Sequence, residues 1–560
     1  MLVQGKTIFH KIWYLLTTYV LTLKRFDLFL QGALLIVILL ETNVYLLLKR
    51  DAAEGHHPKL VEDWVMLGAA GVEVVLGAVV AWYGRGRRQL SLSVWLGATS
   101  FSGLVVLALP FANSYPQDVE LCRPSPVRFV HDSLVASRTA FLVLTALLCT
   151  LTKVSIWSHG LTYLDDHDPQ NGPYFYGILI SIRLSLGLSG QNWLRPGSVR
   201  NDWFDAHISL CMLTFMFAVL FTLFPTRMKN CVQEEDVRAD TGFFPSLRRI
   251  ARNKALMLQT LGMSFLSAAV FCYVHYDRAY VQARFHVETN RQDPRTSRTL
   301  SDVFRALVII FFVMIFRVRF SARRIDGVKA NTASRVAGVV AIFVAVFFAV
   351  IAVISCDSGD VTGVESVGYT QPSCSRNCDC NSEKYGFSPV CMIDTDTTYF
   401  SPCHAGCETS EDLNGFLLYQ NCSCGAGSLR AARGACAMST CRIAFGAYQA
   451  FYTVMLAVSG ACFLMQGMVV LRAVRPVDKP IAVGASFAVV ALLAFVFGHL
   501  LYMMISHLTC AYFNEDACLL HKDTIWSASA TSSILALLAA VTSLLASRVP
   551  AEAPEPTTEL

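Results

Sequence analysis

Charge is scarce in this chain: Asp, Glu, Lys and Arg make up 16% of its 560 residues, while 54% are hydrophobic. A soluble domain carries about a quarter of its residues as charge, so a water-soluble fold is excluded. The sequence also lacks a phosphate-binding Gly-rich loop, a Ser, His and Asp set that would stand out by itself, and any His and Cys spacing of the zinc type. These absences argue against an enzyme, a cofactor, a metal requirement and an ATP-driven pump. No basic, aromatic-rich stretch is present, and the small net charge of +5 is set mainly by membrane orientation, so no nucleic-acid partner is expected.

What the chain has in abundance is apolar runs of about 20 residues, the length that crosses a bilayer. They predict twelve spans near 28–48, 64–84, 90–109, 133–157, 174–192, 204–224, 255–275, 300–316, 336–355, 443–471, 481–503 and 525–546. A further apolar stretch, 12–23, is too short to span and has no small-residue cleavage site after it, which predicts an interfacial helix rather than a signal peptide. Basic residues collect beside alternate loops (Arg85, Arg87 and Arg88; Arg248, Arg249 and Arg252; Arg323, Arg324 and Lys329; Arg472, Arg475 and Lys479), which puts those loops and both termini in the cytoplasm. One loop disagrees, since Arg278, Arg284, Arg291, Arg295 and Arg298 follow span 7 on the side assigned to the outside. The chain then divides into a cytoplasmic N-terminal segment (1–27), a first half of six spans (28–225), a cytoplasmic linker (226–254), spans 7–9 (255–355), an outer loop (356–442), spans 10–12 (443–546) and a cytoplasmic tail (547–560).

The outer loop is the most specific feature. Ten cysteines crowd into it: Cys374, Cys378, Cys380, Cys391, Cys403, Cys407, Cys422, Cys424, Cys436 and Cys441. Thiols at this density without zinc-type spacing predict disulfides in an oxidising compartment, and Cys356, Cys510 and Cys518 join the disulfide set from nearby outer positions. Within the loop, Pro389, Val390 and Cys391, the run from Tyr399 to Cys407 (YFSPCHAGC), and Asn421 to Cys424 (NCSC) resemble a Kazal-type module. Such a module between spans 9 and 10 of a twelve-span carrier is similar to the organic anion transporting polypeptides, a branch of the major facilitator superfamily. Further matches run along the chain. Gly160, Leu161, Thr162, Tyr163, Leu164, Asp165 and Asp166 resemble the family's segment after span 4, Phe244 to Leu247 its entry to span 7, and Arg284, Phe285 and His286 the segment closing that hairpin. At the start of span 6 the resemblance fails: the family's D-x-R-W-[IV]-G-A-W-W-x-G is replaced by Arg200 to Ile208, where only Trp203 and Ala206 survive.

The resemblance implies an all-α integral membrane protein with a twelve-span major facilitator fold, two six-helix halves rocking about a midplane site, and a small disulfide-rich extracellular module. It implies a plasma-membrane, sodium-independent carrier of amphipathic organic anions such as conjugated steroids, bile-salt-like compounds or eicosanoids. The alternative is a transport-deficient membrane scaffold that uses its Kazal-like ectodomain as a binding module.

Ionisable residues inside spans are costly and mark candidate positions on the transport path. Arg183 in span 5 and Glu73 in span 2 are central, and they either serve the substrate or form a structural ion pair with each other. Glu41 lies off-centre in span 1, and Arg138 and Lys153 fall nearer the ends of span 4, where long side chains snorkel to the headgroups. Arg305 in span 8 and His499 in span 11 are the comparable groups of the second half, and His499 raises the prospect of pH-dependent uptake. Gly84, Arg85, Gly86, Arg87 and Arg88 are similar to a shortened form of the superfamily's gating motif between spans 2 and 3. The tail ends Thr558, Glu559, Leu560, a pattern that fits a PDZ domain through its free carboxylate.

Overall fold

The computed structural model describes residues 21–53, 61–109, 121–122, 134–193, 202–226, 228, 242–286, 295–321, 329–356, 360–365, 368–380, 387–413, 416–425, 430–436, 438–514, 517–521 and 526–549. Most of the interfacial helix expected at 12–23, and the tail with Thr558 and Leu560, lie outside the described residues.

Among the described residues, twelve spans form one helical bundle. Span 1 is Leu23–Ala53, span 2 Val61–Tyr83, span 3 Arg88–Leu107, span 5 Gly172–Trp193, span 6 Asp202–Thr222, span 8 Arg295–Ser321, span 9 Ala330–Val353, span 10 Met438–Arg472 and span 12 Trp526–Ala546. The other three carry a π-helical turn: span 4 (Leu134–Ser155, then Ile156–Leu161 and Thr162–His167), span 7 (Lys254–Ser267, then Ala268–Cys272 and Tyr273–Phe285) and span 11 (Lys479–Val490, then Ala491–Gly498 and His499–Leu508). Among the described residues ten helices are long and apolar enough to cross a membrane. Spans 5 and 8 complete the set, and they pack on each other.

Small residues decide where helices approach closely, because association within a bilayer relies on packing rather than on escape from water. Span 12 places Ala528, Ser532, Ala536 and Ala540 four residues apart on one buried stripe, and it packs along span 9. Spans 2 and 11 meet through glycines: a Cβ added to Gly484 would stand 2.7 Å from the Gly77 carbonyl oxygen. This contact joins the two halves.

Several helix ends depart from the hydropathy reading, these three among them. Span 1 begins at Leu23, so residues 24–27 belong to it; span 7 continues to Phe285; and span 4 runs on to His167, ten residues beyond the expected Trp157. In span 4 several polar residues past Trp157 are buried and partnered, with Thr162 Oγ1 donating to the Ser158 carbonyl and His159 Nε2 donating to the Val80 carbonyl 3.1 Å away. Polar side chains satisfied by neighbouring protein lower hydropathy without ending the helix.

The cysteine-rich module sits at the ends of spans 9 and 10. A two-stranded ribbon, β1 (Val364–Glu365) with β2 (Gly368–Tyr369), precedes an antiparallel sheet of β3 (Val390–Met392), β4 (Thr397–Tyr399), β5 (Thr409–Leu413), β6 (Phe416–Gln420) and β7 (Arg430–Arg433). Its spatial order is β4-β3-β7-β6-β5. Val390, Met392, Tyr399, Tyr419 and Ala431 form a small core that disulfides must supplement. Five pairs lie in or at the base of the module: Cys356–Cys441, Cys374–Cys424, Cys380–Cys403, Cys391–Cys436 and Cys407–Cys422. Cys510–Cys518 closes the hairpin of β8 (Cys510–Asn514) and β9 (Ala517–His521) before span 12. The thirteen cysteines singled out in the sequence are an odd number, and Cys122, from the loop between spans 3 and 4, is the missing partner: it bonds Cys378 across 256 residues.

Aromatic contacts seat the module on the bundle. Tyr369 stacks on Tyr512 at 4.2 Å, and Phe387 meets His286 at 5.9 Å. His286 closes span 7, so the helix end carrying Arg278 and Arg284, two of the arginines in the disagreeing loop, lies on the module's side of the protein. Arg284 shows what one of those cations does there, since its guanidinium donates to the Ile351 and Ala352 carbonyls that span 9 leaves unpaired at its end.

Candidate substrate pathway between the two halves

Arg183 projects from span 5 of the first half into aromatic side chains of the second. Its guanidinium carbon lies 5.0 Å from the Phe271 ring of span 7, and 5.8 and 6.0 Å from Phe487 and Phe495 of span 11. Phe271 and Phe495 both sit on π-helical turns, whose wider backbone rotates the following side chains and is common at functional sites. Ring faces attract a cation without neutralising it. Among the described residues no carboxylate approaches Arg183 within the 4.0 Å of an ion pair.

The structure therefore does not form the Glu73–Arg183 ion pair that was one of the two readings of these residues. Glu73 is buried, within electrostatic reach of Lys153, Arg183 and Glu41 but bridged to none of them. The pair that does form is Lys153 with Glu41, where Nζ donates to both carboxylate oxygens at 2.7 and 2.6 Å. Lys153 does not snorkel, because span 4 is longer than hydropathy suggests and places it well inside the helix. Arg138 does not snorkel either: it is 2% exposed. In span 8, Arg305 Nη2 donates to Gln449 Oε1 at 2.5 Å and lies 5.4 Å from the Tyr452 ring, so this arginine is engaged by span 10. His499 lies toward the module end of span 11, facing Asp63 of span 2.

A charged network that sequence reasoning did not pair joins the halves at the end away from the module. Asp165 of span 4 accepts two bonds from Arg472 (2.7 and 2.9 Å) and one from Lys479 (2.8 Å). Asp166 accepts from Lys479 at 2.9 Å and from Arg88 at 2.6 Å. Arg88 belongs to the Gly- and Arg-rich turn between spans 2 and 3, so that turn connects to the contact between halves. Nearby, the Tyr176 ring of span 5 fills the space over Gly467 of span 10, where no Cβ would fit. The linker helix Phe243–Arg252 also docks on the second half, with Arg249 making a two-pronged bond to Asp478 at 3.1 and 3.0 Å. The signal for this network was present as acidic and basic residues at the ends of spans 4, 10 and 11, but their pairing requires the fold.

The family model of the Organic Anion Transporter Polypeptide (OATP) family matches residues 199–523, more than half of the chain. The chain belongs to that family. Among curated relatives, the mouse solute carrier organic anion transporter family member 6C1 is 21% identical over 65% of this chain and 57% of its own length. The rat family member 2B1 is 31% identical over 25% of this chain and 21% of its own length. The chain thus spans little more than half the length of the first of these relatives. A solved structure of the major facilitator superfamily proton:xylose symporter XylE superposes with a TM-score of 0.50 at 11% identity, covering 93% of this chain and 95% of that one. The OATP chain therefore has the major facilitator fold with a disulfide-rich module between spans 9 and 10.

Where this OATP chain departs from the family's span-6 pattern, the structure shows what the substituted residue does. His207 is fully buried: its Nε2 lies 3.0 Å from the Gly103 carbonyl and so donates, which leaves Nδ1 to accept from Asn43 Nδ2 at 2.8 Å. One imidazole ties spans 1, 3 and 6 together.

Proposed function

We propose that this OATP-family protein carries amphipathic organic anions across the plasma membrane by alternating access, as sodium-independent facilitation or anion exchange. The observation that carries this reading is Arg183: a cation at the contact between halves, faced by three aromatic rings and by no carboxylate among the described residues. A fork of guanidinium donors suits a sulfate or carboxylate, and flat apolar rings suit a steroid-like or fatty body. Glu73, Glu41 and Lys153 line the same region and set its charge balance. The Asp165, Asp166, Arg472, Lys479 and Arg88 network closes the path on the side away from the module, and its opening would release substrate there.

In this reading the module faces outside, where its disulfides persist, and both termini are cytoplasmic. An epitope inserted near Gly427 should bind antibody on intact cells, and one at the carboxyl terminus only after permeabilisation. The decisive test is uptake of a sulfated steroid by surface-expressed protein. Losing a charge-assisted bond of about 1.5–3 kcal/mol weakens apparent affinity by roughly ten- to hundred-fold in Arg183→Ala, and Arg183→Lys recovers only part of it. Unchanged transport by Arg183→Ala would reject the anchor. If the parent transports no organic anion, the scaffold reading built on the Kazal-like module replaces it. The tail proposal is separate: deleting Leu560 should abolish capture by PDZ domains.

A further inference from the structure

Toward the module end of the bundle, three metal-ligating side chains from both halves converge. Asp63 stands at the start of span 2, His275 follows the π-helical turn of span 7, and His499 follows that of span 11. Asp63 Oδ1 lies 3.0 Å from His275 Nε2 and 3.6 Å from His499 Nε2, and one ligand atom from each residue falls within 4.8 Å of the others. Ligands about 2.0–2.1 Å from a tetrahedral zinc stand roughly 3.3 Å apart, so the two Asp63 distances bracket that spacing. The remaining imidazole pair closes by rotation of side chains whose ring centres are 5.5 Å apart. His499 is 2% exposed, while Asp63 and His275 are 20% and 24% exposed, which gives a shielded site with an entry.

We propose that Asp63, His275 and His499 bind a divalent transition-metal ion, with zinc the best fit. Two imidazoles and one carboxylate suit zinc and its neighbours, whereas calcium and magnesium require an oxygen set. Three protein ligands leave the fourth position to water, and the Tyr276 hydroxyl lies 3.5 Å from His499 Nε2. The other such cluster among the described residues, Cys391, Asp396 and Cys436, has its sulfurs committed to a disulfide. Because Asp63 belongs to the first half and both histidines to the second, a bound ion fastens the halves at this end. Zinc added from the module side then holds that end shut and inhibits uptake, a consequence that rests on the alternating-access reading, whereas the binding itself does not.

The test uses the purified full chain and Zn2+ alone. Calorimetric titration should show one saturable ion per chain together with a raised melting temperature, and Ca2+ or Mg2+ should produce neither. His275→Gln and His499→Gln should each weaken binding at least tenfold, and the double variant should abolish it. Co2+ in place of zinc should give the visible absorption of a tetrahedral nitrogen and oxygen site, without the near-ultraviolet band of thiolate ligation, and this band pattern distinguishes the site from capture by a stray cysteine. Absence of one-site binding, or binding of parental strength in a folded double variant, overturns the proposal and leaves Asp63 and the histidines as a hydrogen-bonded contact between halves. Zinc binding without inhibition of a functioning transporter would overturn only the fastening.

Discussion

Lys153 and Glu41 show how a single residue's role depends on where its helix ends. With side chains 21% and 15% exposed the pair is only partly buried, so stripping one partner should cost less than the about 3–5 kcal/mol of a fully buried pair. We expect Lys153→Met or Glu41→Gln alone to lower the melting temperature of the purified protein, and the two together to restore most of the loss; additive losses would show that the residues act independently. A second residue-scale prediction concerns His404 in the module, where burial holds the imidazole down to about 4 while its ring bonds Ser401 Oγ at 2.8 Å. The unfolded chain takes up this proton near 6.5, so the folded module binds fewer protons between the two values. Its contribution is complete above about pH 6.5, falls as pH drops toward 4, and at about 1.4 kcal/mol per unit totals at most about 3.5 kcal/mol. Non-reducing melts at neutral pH and near the lower limit should show that loss, and His404→Asn should flatten it. Sequence alone marked Arg183 and Glu73 as costly and central. It could not reveal that Glu41 takes Lys153, since choosing among four charged partners needs the rotation of four helices, which nothing in the local pattern specifies.

At the scale of elements, the long runs were legible because the bilayer enforces both length and apolarity, whereas the ends of spans 4 and 7 were not, because there protein replaces lipid as the neighbour. The stretch from Ser158 to His167 reads as a polar loop but is helical, its Asp165 fully buried and shared by Arg472 and Lys479. The π-helical turns were equally silent in the sequence: Ala268–Cys272 and Ala491–Gly498 are as apolar as the helices around them. Their effect emerges only when Phe271 and Phe495 arrive beside Arg183. Asp165 supports a specific expectation, since bonds from Arg and Lys to a carboxylate are each about 1.5–3 kcal/mol. Asp165→Asn should weaken the contact between halves, seen as faster amide hydrogen exchange in residues 156–168 and 472–482, with exchange in the module unchanged. Unaltered exchange in both segments would mean that the network does not hold this end closed.

For the whole molecule, the disulfide pattern couples what the helical topology leaves as two separable halves. Cys356–Cys441 closes the module at its base on the second half, while Cys122 reaches it from the first, adding a backbone bond from its own N–H to the Cys407 carbonyl at 2.8 Å. The module is thus fastened to both halves. The cysteine-dense loop was the most legible feature of the sequence, yet this strap was hidden, because a lone cysteine 256 residues from its partner carries no spacing signal and only the odd count hinted at it. The bond can be tested without any substrate. A protease site inserted in the linker at residue 235 cuts the chain between spans 6 and 7, so the two halves share no peptide bond. On a denaturing gel without reductant the cut protein should still migrate as one species, held by Cys122–Cys378, and reductant should release two. Cys122→Ser should release both halves even without reductant. If the cut parent separates before reduction, the halves are not covalently joined and the module rides on the second half alone.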